Sequence, residues 1–546
     1  MAALFFALAT YTFSDDHFGR ISPARQMARY GEMPFRDFLD PGYFMTEVAS
    51  AATQRLFGDN LIGEMLLTSS CVAFGAVAIL LLVLRATGSM RLACVTTVVA
   101  VLAFRRPYDY DKFLFYPLGL LTSWRYGATR RTRDLLAAGV VTTVAGLFRY
   151  DNALFVAVSV VVVIAAAHVH DSARLIQRLS LFVGACVLCA APYLLFLQAH
   201  GMTSDAVEQM TTYARREGAR TRIGTLPRGV LSEVQVTWLP PPQPGESWRR
   251  QLRRRIPLVG TVSVSWGAAG AAAGVYYLFV ALSLVAAVTT LRDKTTGRPF
   301  ERGQVLSAVS LTLLAVVLVL REPVIARIGG AIGPPAVLAA WMWYRFARSP
   351  RGMSRGWRAG RAAIALCVLA TMVIATEWRS SLSLIRRNSP LFTRLTDAAA
   401  IPPSTALLPK PRLAGLVNYL QRCTRPEDRV FAGWFVPELY FFSGRAFAGG
   451  MVATFGDHWS EPDHQRRIVE KLKIESVPVV LLREGDESFS RGYSIVSEYL
   501  RANYRTVGSS AFGGTDGGAY TVLTRIDRAA GGIDPATSMP CFGGND

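Results

Sequence analysis

The sequence has little lysine and little histidine. Only five of its 59 basic residues are lysine, and neither a basic domain nor a nucleic-acid-binding motif accompanies the formal net charge of +20. Nucleic acid is therefore not expected among its partners. The seven cysteines and six histidines form no cluster with the spacing of zinc ligands,. No basic segment precedes the first apolar run, so that run does not have the pattern of a signal peptide.

Long apolar runs are what the sequence does have, since 51% of its residues are hydrophobic. Met65–Leu84 and Leu179–Gln198 are each 20 residues without a charge, and Ala271–Leu291 is 21. A bilayer core about 30 Å thick needs roughly 20 apolar helical residues. Soluble, collagen-like and disordered classes are excluded, and the sequence predicts a polytopic α-helical membrane protein.

Apolar runs within residues 1–376 predict about eleven spans. They are Ala2–Phe13, Leu61–Leu84, Leu92–Phe104, Phe113–Trp124, Leu135–Phe148, Ala153–Ala167, Leu179–Gln198, Ala271–Leu291, Val305–Leu320, Ala331–Tyr344 and Ala362–Thr376. As one helix, 135–167 would extend about 50 Å, longer than the hydrocarbon layer. We therefore predict two short helices with a polar turn at Arg149.

Basic residues in the short loops predict the orientation. One alternating set of loops holds 18 Lys and Arg, and the other set (105–112, 149–152 and 321–331) holds six. The positive-inside rule puts the first set in the cytoplasm. The loops 14–60 and 199–260 and the C-terminal tail then share the outer face of the plasma membrane, where we expect any chemistry.

The first span is short, with only 12 apolar residues before Ser14. That is too few to cross a bilayer. Two expectations follow: the true start lies upstream, or a short helix inserts only partway.

The tail is nearly neutral, with 20 basic and 18 acidic residues in 377–546. Residues 377–404 have the composition of a linker. Residues 405–546 alternate strand-like and helix-like segments, which predicts a soluble α/β domain with a mostly parallel sheet. Residues 529–546, rich in Gly and Pro, predict a loose end.

Two pairs of cysteines could each have a structural or a chemical role. Cys186 and Cys189 lie inside an apolar run, where small residues at a helix contact are favoured over redox or metal chemistry. Cys423 and Cys541 both lie in the tail, and an oxidising compartment permits a disulfide between them.

Two acidic clusters lie in the first outer loop. Asp15 and Asp16 follow the first span, where carboxylates near hydrocarbon are costly and often functional. The alternative to a functional role is that the two aspartates only cap the helix predicted from Phe18 to Tyr30. The second cluster runs from Gly31 to Gly42, G-E-M-P-F-R-D-F-L-D-P-G, and is a structured turn,.

This pattern resembles the GT-C superfamily of membrane glycosyltransferases that use polyprenyl-phosphate sugars. It is similar to bacterial relatives of the dolichyl-phosphate-mannose–protein mannosyltransferases. The resemblance rests on the acidic pair after the first span, an amphipathic helix and then G-x-x-P-[YF]-R-D-F with a Pro-Gly turn. Gly146–Asp151 and Pro437–Arg445 add to it.

The resemblance implies roles for individual residues. Asp15 would be the general base that deprotonates the acceptor hydroxyl. Asp16 and Asp37 would orient that base or hold a divalent cation, Mg²⁺ or Mn²⁺. Arg149 and Arg327 would bind the donor phosphate, with snorkelling helix-end arginines as the alternative.

Weaker candidates complete the predicted site. Arg20 and Arg36 rank behind the other arginines for the phosphate, and we expect His17 to be structural or interfacial. In the tail, Trp434 and Glu438 are acceptor-binding candidates, although core packing is favoured for Trp434. The loop 199–260 contributes the segments 213–216 and 238–242, which either contact an acceptor sugar or form a solvated linker.

The predicted function is transfer of a sugar from a polyprenyl phosphate to a hydroxyl of a cell-envelope glycan, lipid or protein, with inversion. The alternative is a transporter or flippase of a lipid-linked precursor, although no internal repeat supports it. A third reading is a non-catalytic envelope protein whose membrane part anchors the tail.

Overall fold

A computed structural model describes most of the chain. The described residues are 1–10, 13–104, 107–220, 234–238, 262–266, 268–292, 299–320, 325–347, 390–407, 411–454, 458–485, 487–512 and 519–542. The predicted last span, Ala362–Thr376, lies outside them, as does most of the segment 238–242.

The first 347 residues are helical wherever they are described, apart from the turns between helices and one short hairpin. The helices are α1 (Ala2–Thr10), α2 (Asp15–Tyr30), α3 (Phe44–Phe57), α4 (Ile62–Thr87), α5 (Met90–Ala103), α6 (Tyr110–Thr129), α7 (Thr132–Phe148), α8 (Tyr150–Ala167), α9 (Ser172–Ala199), α10 (Thr203–Arg220), α11 (Ala268–Arg292), α12 (Pro299–Leu320), α13 (Ile325–Ala331) and α14 (Gly333–Ala347). The hairpin pairs β1 (Val234–Trp238) with β2 (Val262–Trp266).

Four helices of the described part are long and apolar enough to cross a membrane by themselves. They are α4, α8, α9 and the part of α11 from Val275 to Arg292. The other predicted spans in the described part correspond to helices as well, some of them shorter or more polar. The described bundle therefore has the character of a polytopic membrane protein.

The break at Arg149 is confirmed. Helix α7 ends at Phe148, Arg149 is extended with φ −161°, and α8 begins at Tyr150. A Cβ on Gly146 would lie 2.7 Å from the Cβ of Ala153, so the two helices pack tightly beside the turn. The 33-residue apolar stretch is thus a pair of packed helices.

The Cys186 region is a helix contact, as predicted. The Cys186 thiol lies 3.6 Å from the Gly139 carbonyl oxygen of α7. A Cβ on Gly139 would lie 2.8 Å from the Cβ of Ala185. Small residues therefore let α7 and α9 approach closely.

The tail forms an α/β domain. Its helices are α15 (Pro390–Ala399), α16 (Pro411–Cys423), α17 (Pro437–Ser443), α18 (Pro462–Ile474), α19 (Ser488–Gly492) and α20 (Ser494–Asn503). Its strands are β3 (Arg429–Ala432), β4 (Ala446–Phe447), β5 (Val479–Arg483), β6 (Tyr504–Ser510), β7 (Tyr520–Arg525), β8 (Gly532–Ile533) and β9 (Pro540–Cys541).

The main sheet is mixed rather than mostly parallel, which corrects the prediction. Its strand order is β4-β3-β5-β7-β6, with β3 parallel to β4 and β5 and with β7 antiparallel to β5 and β6. Only nine residues separate β6 from β7. Parallel strands need a crossover of a dozen or more residues, so this connection fits an antiparallel pair.

The ends of the tail are more structured than predicted. Cys423 and Cys541 form a disulfide. Asp534 accepts two hydrogen bonds from Arg422, both 3.0 Å, so the predicted loose end is attached to α16 up to residue 542. Within the predicted linker, the Ala398 carbonyl of α15 accepts a hydrogen bond from Leu61 N at 2.8 Å.

Helix α17 of the tail docks on helix α2 of the first loop. Ser22 Oγ donates to the Pro437 carbonyl at 2.7 Å, and Arg25 donates to the Phe441 carbonyl. Phe18 packs against the rings of Phe441 and Phe442 at 5.6 and 5.0 Å between centroids. The motif from Pro437 to Arg445 therefore includes the contact between tail and loop.

Helix α10 joins the other side of the tail domain to the first loop. Arg216 pairs with Glu461 at 2.7 Å, and Glu217 pairs with His458 at 2.8 Å. Gln209 Nε2 donates to the Phe35 carbonyl at 2.9 Å. The described parts of the first loop, α10 and the tail thus contact one another, which agrees with the grouping predicted from loop charges.

Candidate functional site

Short turns between the membrane helices meet around Asp109, which is fully buried. Arg149 lies 3.6 Å from Asp109, and Lys112 lies 2.6 Å from it. A Cβ on Gly330 of α13 would lie 2.9 Å from the Asp109 Cβ. Residues 107–112, residues 149–152 and α13 therefore come together, and each belongs to a loop of the set that holds six basic residues.

Two arginines converge next to this junction. The guanidinium carbons of Arg20 and Arg149 lie 4.2 and 5.3 Å from the centroid of the Tyr43 ring. The exposed fractions of Arg20 and Arg149 are only 5% and 8%. The two buried positive charges lie beside the same ring and repel each other. A bound anion would relieve this repulsion.

Carboxylates hold one of these arginines, while the other keeps a donor available. Arg149 donates from Nε and Nη2 to the two carboxylate oxygens of Asp151, both at 2.8 Å. Nη1 of Arg20 has no hydrogen-bond partner among the described residues. Arg149 is thus oriented as a fixed fork, and Arg20 retains a donor for an anion.

A turn built by Asp40 carries Tyr43. Asp40 Oδ1 accepts hydrogen bonds from Gly42 N and from Tyr43 N, the latter at 2.8 Å. Gly42 has φ +98°, a conformation that favours glycine,. The Pro-Gly turn predicted from the sequence therefore sets the position of the Tyr43 ring beneath the arginines.

Asp40 forms a buried carboxyl pair with Glu47. Burial raises the pKa of the Asp40 carboxyl. Burial, and after it the neighbouring Asp40, raise the pKa of Glu47 well above its ordinary range. The pair therefore retains a proton in a pH range where exposed carboxyls are ionised.

Further polar side chains continue the cluster on α6 and α8. Asn152 Nδ2 donates to Asp111 Oδ2 at 2.8 Å, and both residues are fully buried. Buried charges near a membrane are costly and usually functional. The structure thus brings together Arg20, Tyr43, Asp109, Asp111, Lys112, Arg149 and Asp151, which we call the arginine site.

The acidic pair lies at the start of α2, one turn before Arg20. Ser14 is the N-cap residue, and Asp15 and Asp16 fill the first turn. Asp15 is exposed and its Oδ1 accepts from Asp16 N at 2.9 Å. Asp16 precedes Arg20 by four residues, so these two share one face of the helix. Asp16 therefore lies on the helix face that carries Arg20, and the roles predicted for Asp15 and Asp16 stay predictions.

Asp37 has a different environment. Its Oδ2 accepts from Met33 N at 2.8 Å and from Arg36 Nη2 at 2.7 Å. A Cβ on Gly450 of the tail would lie 2.8 Å from the Asp37 carbonyl oxygen. Asp37 and Arg36 therefore pair with each other at the contact between loop and tail, and no contact joins them to the arginine site in the described part.

The cation predicted at Asp16 and Asp37 finds little support in these contacts. Asp37 is engaged by Arg36, and no group of three or more His, Cys, Asp and Glu suited to a metal occurs among the described residues. The cation stays a prediction, and the steps proposed below use only the chain's own residues.

Arg327 lies in α13, the helix that meets Asp109 through Gly330. Its side chain lies outside the described residues. The backbone thus brings Arg327 to the same junction as Arg149, and its predicted role in phosphate binding stays a prediction.

The acceptor candidates lie in the tail domain. The Trp434 ring stacks on the ring of Tyr520, with centroids 4.9 Å apart and planes at 17°. Glu438 is half-buried in α17. Trp434 packs on the domain core, which agrees with the favoured alternative, and acceptor binding stays a prediction.

His17 is structural in its contacts. It is fully buried, and its Nε2 lies 2.6 Å from Glu64 Oε1 of α4. Ser50 Oγ of α3 donates to Glu64 Oε2 at 2.6 Å. Glu64 thus ties α2 and α3 to the start of a membrane helix.

Several site residues were missed by sequence reasoning. Asp109, Asp111 and Lys112 lie in the segment R-R-P-Y-D-Y-D-K, for which the sequence predicted a side of the membrane and no role in the site. Two carboxylates beside an apolar run are the same signal that singled out Asp15 and Asp16. Tyr43 and Glu47 gave no local signal, because only the tertiary contacts distinguish them.

The described fold and site define a class: a polytopic helical membrane protein with an α/β domain over a buried arginine–carboxylate site. No family model matches the chain, and no curated protein matches it. Among solved structures, it is similar to ArnT from Cupriavidus metallidurans bound to undecaprenyl phosphate. The TM-score is 0.47 and the identity 13%, over 96% of this chain and 96% of that chain. The function proposed below therefore rests on the residues of the site.

Proposed function

We propose that the protein is an integral-membrane glycosyltransferase that uses a sugar linked to a polyprenyl phosphate. The acceptor is a hydroxyl of a cell-envelope glycan, lipid or protein. The observation that carries the proposal is the convergence of Arg20 and Arg149 on Tyr43, beside a carboxylate-rich helix start and at the ends of membrane helices.

The arginines suit the leaving group. When the acceptor oxygen attacks C1 of the sugar, the bond between C1 and the phosphate oxygen breaks and the polyprenyl phosphate departs. Negative charge grows on that phosphate, and arginine forks stabilise it best. Asp151 fixes the direction of Arg149, so little reorganisation is needed during the reaction,.

The acidic pair suits the acceptor. The attacking hydroxyl loses its proton, and a carboxylate within hydrogen-bond reach accepts it. Asp15 is our candidate for this base, because it is exposed at the start of α2, and Asp16 would orient it from the face shared with Arg20. Attack from the side opposite the phosphate inverts C1.

Loop charges and the disulfide support an outer-face location. The side that carries the arginine site has six basic residues in its short loops, against 18 on the other side,. The bond between Cys423 and Cys541 suits an oxidising compartment,. We therefore propose that the site faces away from the cytoplasm of a plasma membrane.

The test is a deletion strain complemented with wild type, Asp15→Asn or Asp16→Asn, followed by profiling of surface glycans. Asp463→Asn is the control, because the Asp463 side chain is 92% exposed on the tail surface. Blots of membrane fractions check the insertion of each variant. We expect wild type and the control to restore a missing linkage, and the well-inserted loop variants to restore about 1% or less.

Two results would contradict the proposal. If no glycan linkage is missing in the deletion strain, the assignment as a glycosyltransferase is wrong. The protein is then a flippase or a membrane anchor for the tail. If both loop variants restore the linkage fully, the acidic pair only begins the helix and the base must be another group.

A further inference from the structure

The tail domain reaches the arginine site through a chain of aromatic rings. Tyr213 of α10 packs against His458 and Trp459 of the tail, with ring centroids 5.1 and 6.1 Å apart. The Tyr213 ring also lies 6.4 Å from the ring of Tyr43. Tyr43 is the ring on which Arg20 rests at 4.2 Å.

We infer that Tyr213 is a positioning residue: together with Trp459 and Tyr43 it sets the geometry of the arginine site from the tail domain. We call these three residues the aromatic bridge. The inference rests on the proposed function, since it concerns how tightly the arginines bind the lipid phosphate.

Contacts on both sides of the bridge keep α10 from moving independently. Glu217, one turn after Tyr213, pairs with His458 at 2.8 Å. Gln209, one turn before Tyr213, is fully buried and its Oε1 accepts from Asp40 N at 3.0 Å. The same helix therefore holds the tail with one turn and the Asp40 turn with another.

The Asp40 turn passes this constraint to Tyr43. Asp40 accepts from Tyr43 N, and a Cβ on Gly42 would lie 3.0 Å from the Met210 side chain of α10. Tyr43 is thus located by backbone hydrogen bonds from one side and by the Tyr213 ring from the other. Because Tyr43 supports both guanidinium groups, a shift of its ring changes the spacing of the two cations.

Phe35 shows that α10 and the tail act on the same loop. Its backbone has φ +68°, a strained conformation for a phenylalanine,. Its carbonyl oxygen accepts from Gln209 Nε2 at 2.9 Å and from Arg467 Nη2 of the tail at 2.6 Å. The segment before Tyr43 is therefore held by both partners, and neither α10 nor the tail can shift without it.

The experiment measures binding of undecaprenyl phosphate to the full chain in lipid nanodiscs. The variants are Tyr213→Ala, which removes the ring, and Tyr213→Phe, which keeps it. Trp459→Leu interrupts the bridge from the tail side. Tyr499→Ala is the matched control, because Tyr499 packs against Tyr504 within the tail.

We expect Tyr213→Ala and Trp459→Leu to weaken binding about tenfold, and Tyr213→Phe and the control to bind as wild type does. In an Arg20→Ala background the effect of Tyr213→Ala should disappear, because the bridge acts through that arginine. A merely structural loss would instead persist in that background. Thermal melts identify any variant that fails to fold, and Trp459→Leu then carries the test.

The other outcomes separate the two proposals. If wild type binds, Arg149→Ala does not, and both bridge variants bind like wild type, the bridge is wrong and the phosphate site stands. The aromatic bridge is also wrong if the bridge variants weaken binding by the same factor in the wild-type and Arg20→Ala backgrounds. If wild type itself does not bind the lipid phosphate, the proposed function fails and the bridge fails with it.

Discussion

Single residues decide how an anion would be held in this protein. Arg149 owes its direction to Asp151, to which it donates two hydrogen bonds of 2.8 Å. A lysine in its place would keep the charge and lose the planar fork. The two substitutions Arg149→Lys and Arg149→Ala therefore separate charge from geometry.

We expect Arg149→Ala to lower transfer activity by about 100-fold or more, and Arg149→Lys by about tenfold. The measurement is sugar transfer by purified protein, with Arg174→Ala as the control, because the Arg174 side chain is 71% exposed in the first turn of α9. Equal activity of the Lys variant and wild type would mean that charge alone matters. Full activity of the Ala variant would remove Arg149 from the site.

The carboxyl pair of Asp40 and Glu47 makes stability depend on pH. Burial, and then Asp40, raise the pKa of Glu47 well above its ordinary value of 4.5, while nearby Arg20 opposes the shift. The folded state therefore binds more protons than the unfolded state, so this contribution to the unfolding free energy is fully present below about pH 4.5 and is lost as pH rises through the folded pKa.

Above pH 4.5, Glu47→Gln should consequently make the melting temperature depend less on pH. The variant should also have a higher melting temperature than wild type at neutral pH, because glutamine cannot ionise,. Thermal unfolding in detergent between pH 4 and 9 measures this. Glu470→Gln, at an exposed position of α18, should leave the profile unchanged. A Glu47→Gln profile parallel to that of wild type would contradict the assignment.

At the scale of elements, close helix packing depends on small residues. Gly75 of α4 faces α6, and a Cβ there would collide with the carbonyl oxygen of Phe113. Gly184 of α9 has nothing within 4 Å of the same position. The two glycines therefore provide a matched pair within the bundle.

Gly75→Ala should lower the unfolding free energy by about 1–3 kcal/mol, because α4 and α6 must separate to admit the methyl group. Gly184→Ala should be neutral or stabilising by about 0.5–1 kcal/mol, since alanine favours a helix. Thermal or denaturant unfolding in detergent compares them. Equal effects would show that α4 and α6 do not pack as described.

Elements also show where sequence reasoning succeeds and where it stops. The two helices on either side of Arg149 were predictable because hydrophobic length alone rules out one straight span. The mixed sheet was not, because an apolar run does not reveal the direction of its neighbour. Likewise, the resemblance made Asp37 a site candidate, and only the structure shows that it pairs with Arg36 beside the tail domain; its role stays a prediction.

At the scale of the whole molecule, contacts join the first loop, α10 and the tail within the part of the chain that the structure describes. The same grouping follows from the loop charges, 18 against six. Sidedness relative to the cytoplasm is the remaining prediction, and it can be measured on intact cells.

A cysteine at exposed Glu484 in the tail should react with a membrane-impermeant maleimide on intact cells. A cysteine at exposed Arg133, in the first turn of α7, should react only after the cells are permeabilised,. The parent chain with its native cysteines gives the background. The reverse pattern would place the arginine site in the cytoplasm.

The sequence by itself determined the class of this protein, because helix length, apolar runs and basic loops are local properties that the bilayer selects directly. It also placed the acidic pair and Arg149 among the candidates, since charge beside hydrocarbon is costly wherever the chain folds. Only the tertiary structure decided that Arg20 and Arg149 share the ring of Tyr43, and that Asp109 is the junction of the short turns. Arg20 and Arg149 lie 129 residues apart in the sequence and meet because helices distant along the chain pack together, which no local pattern encodes.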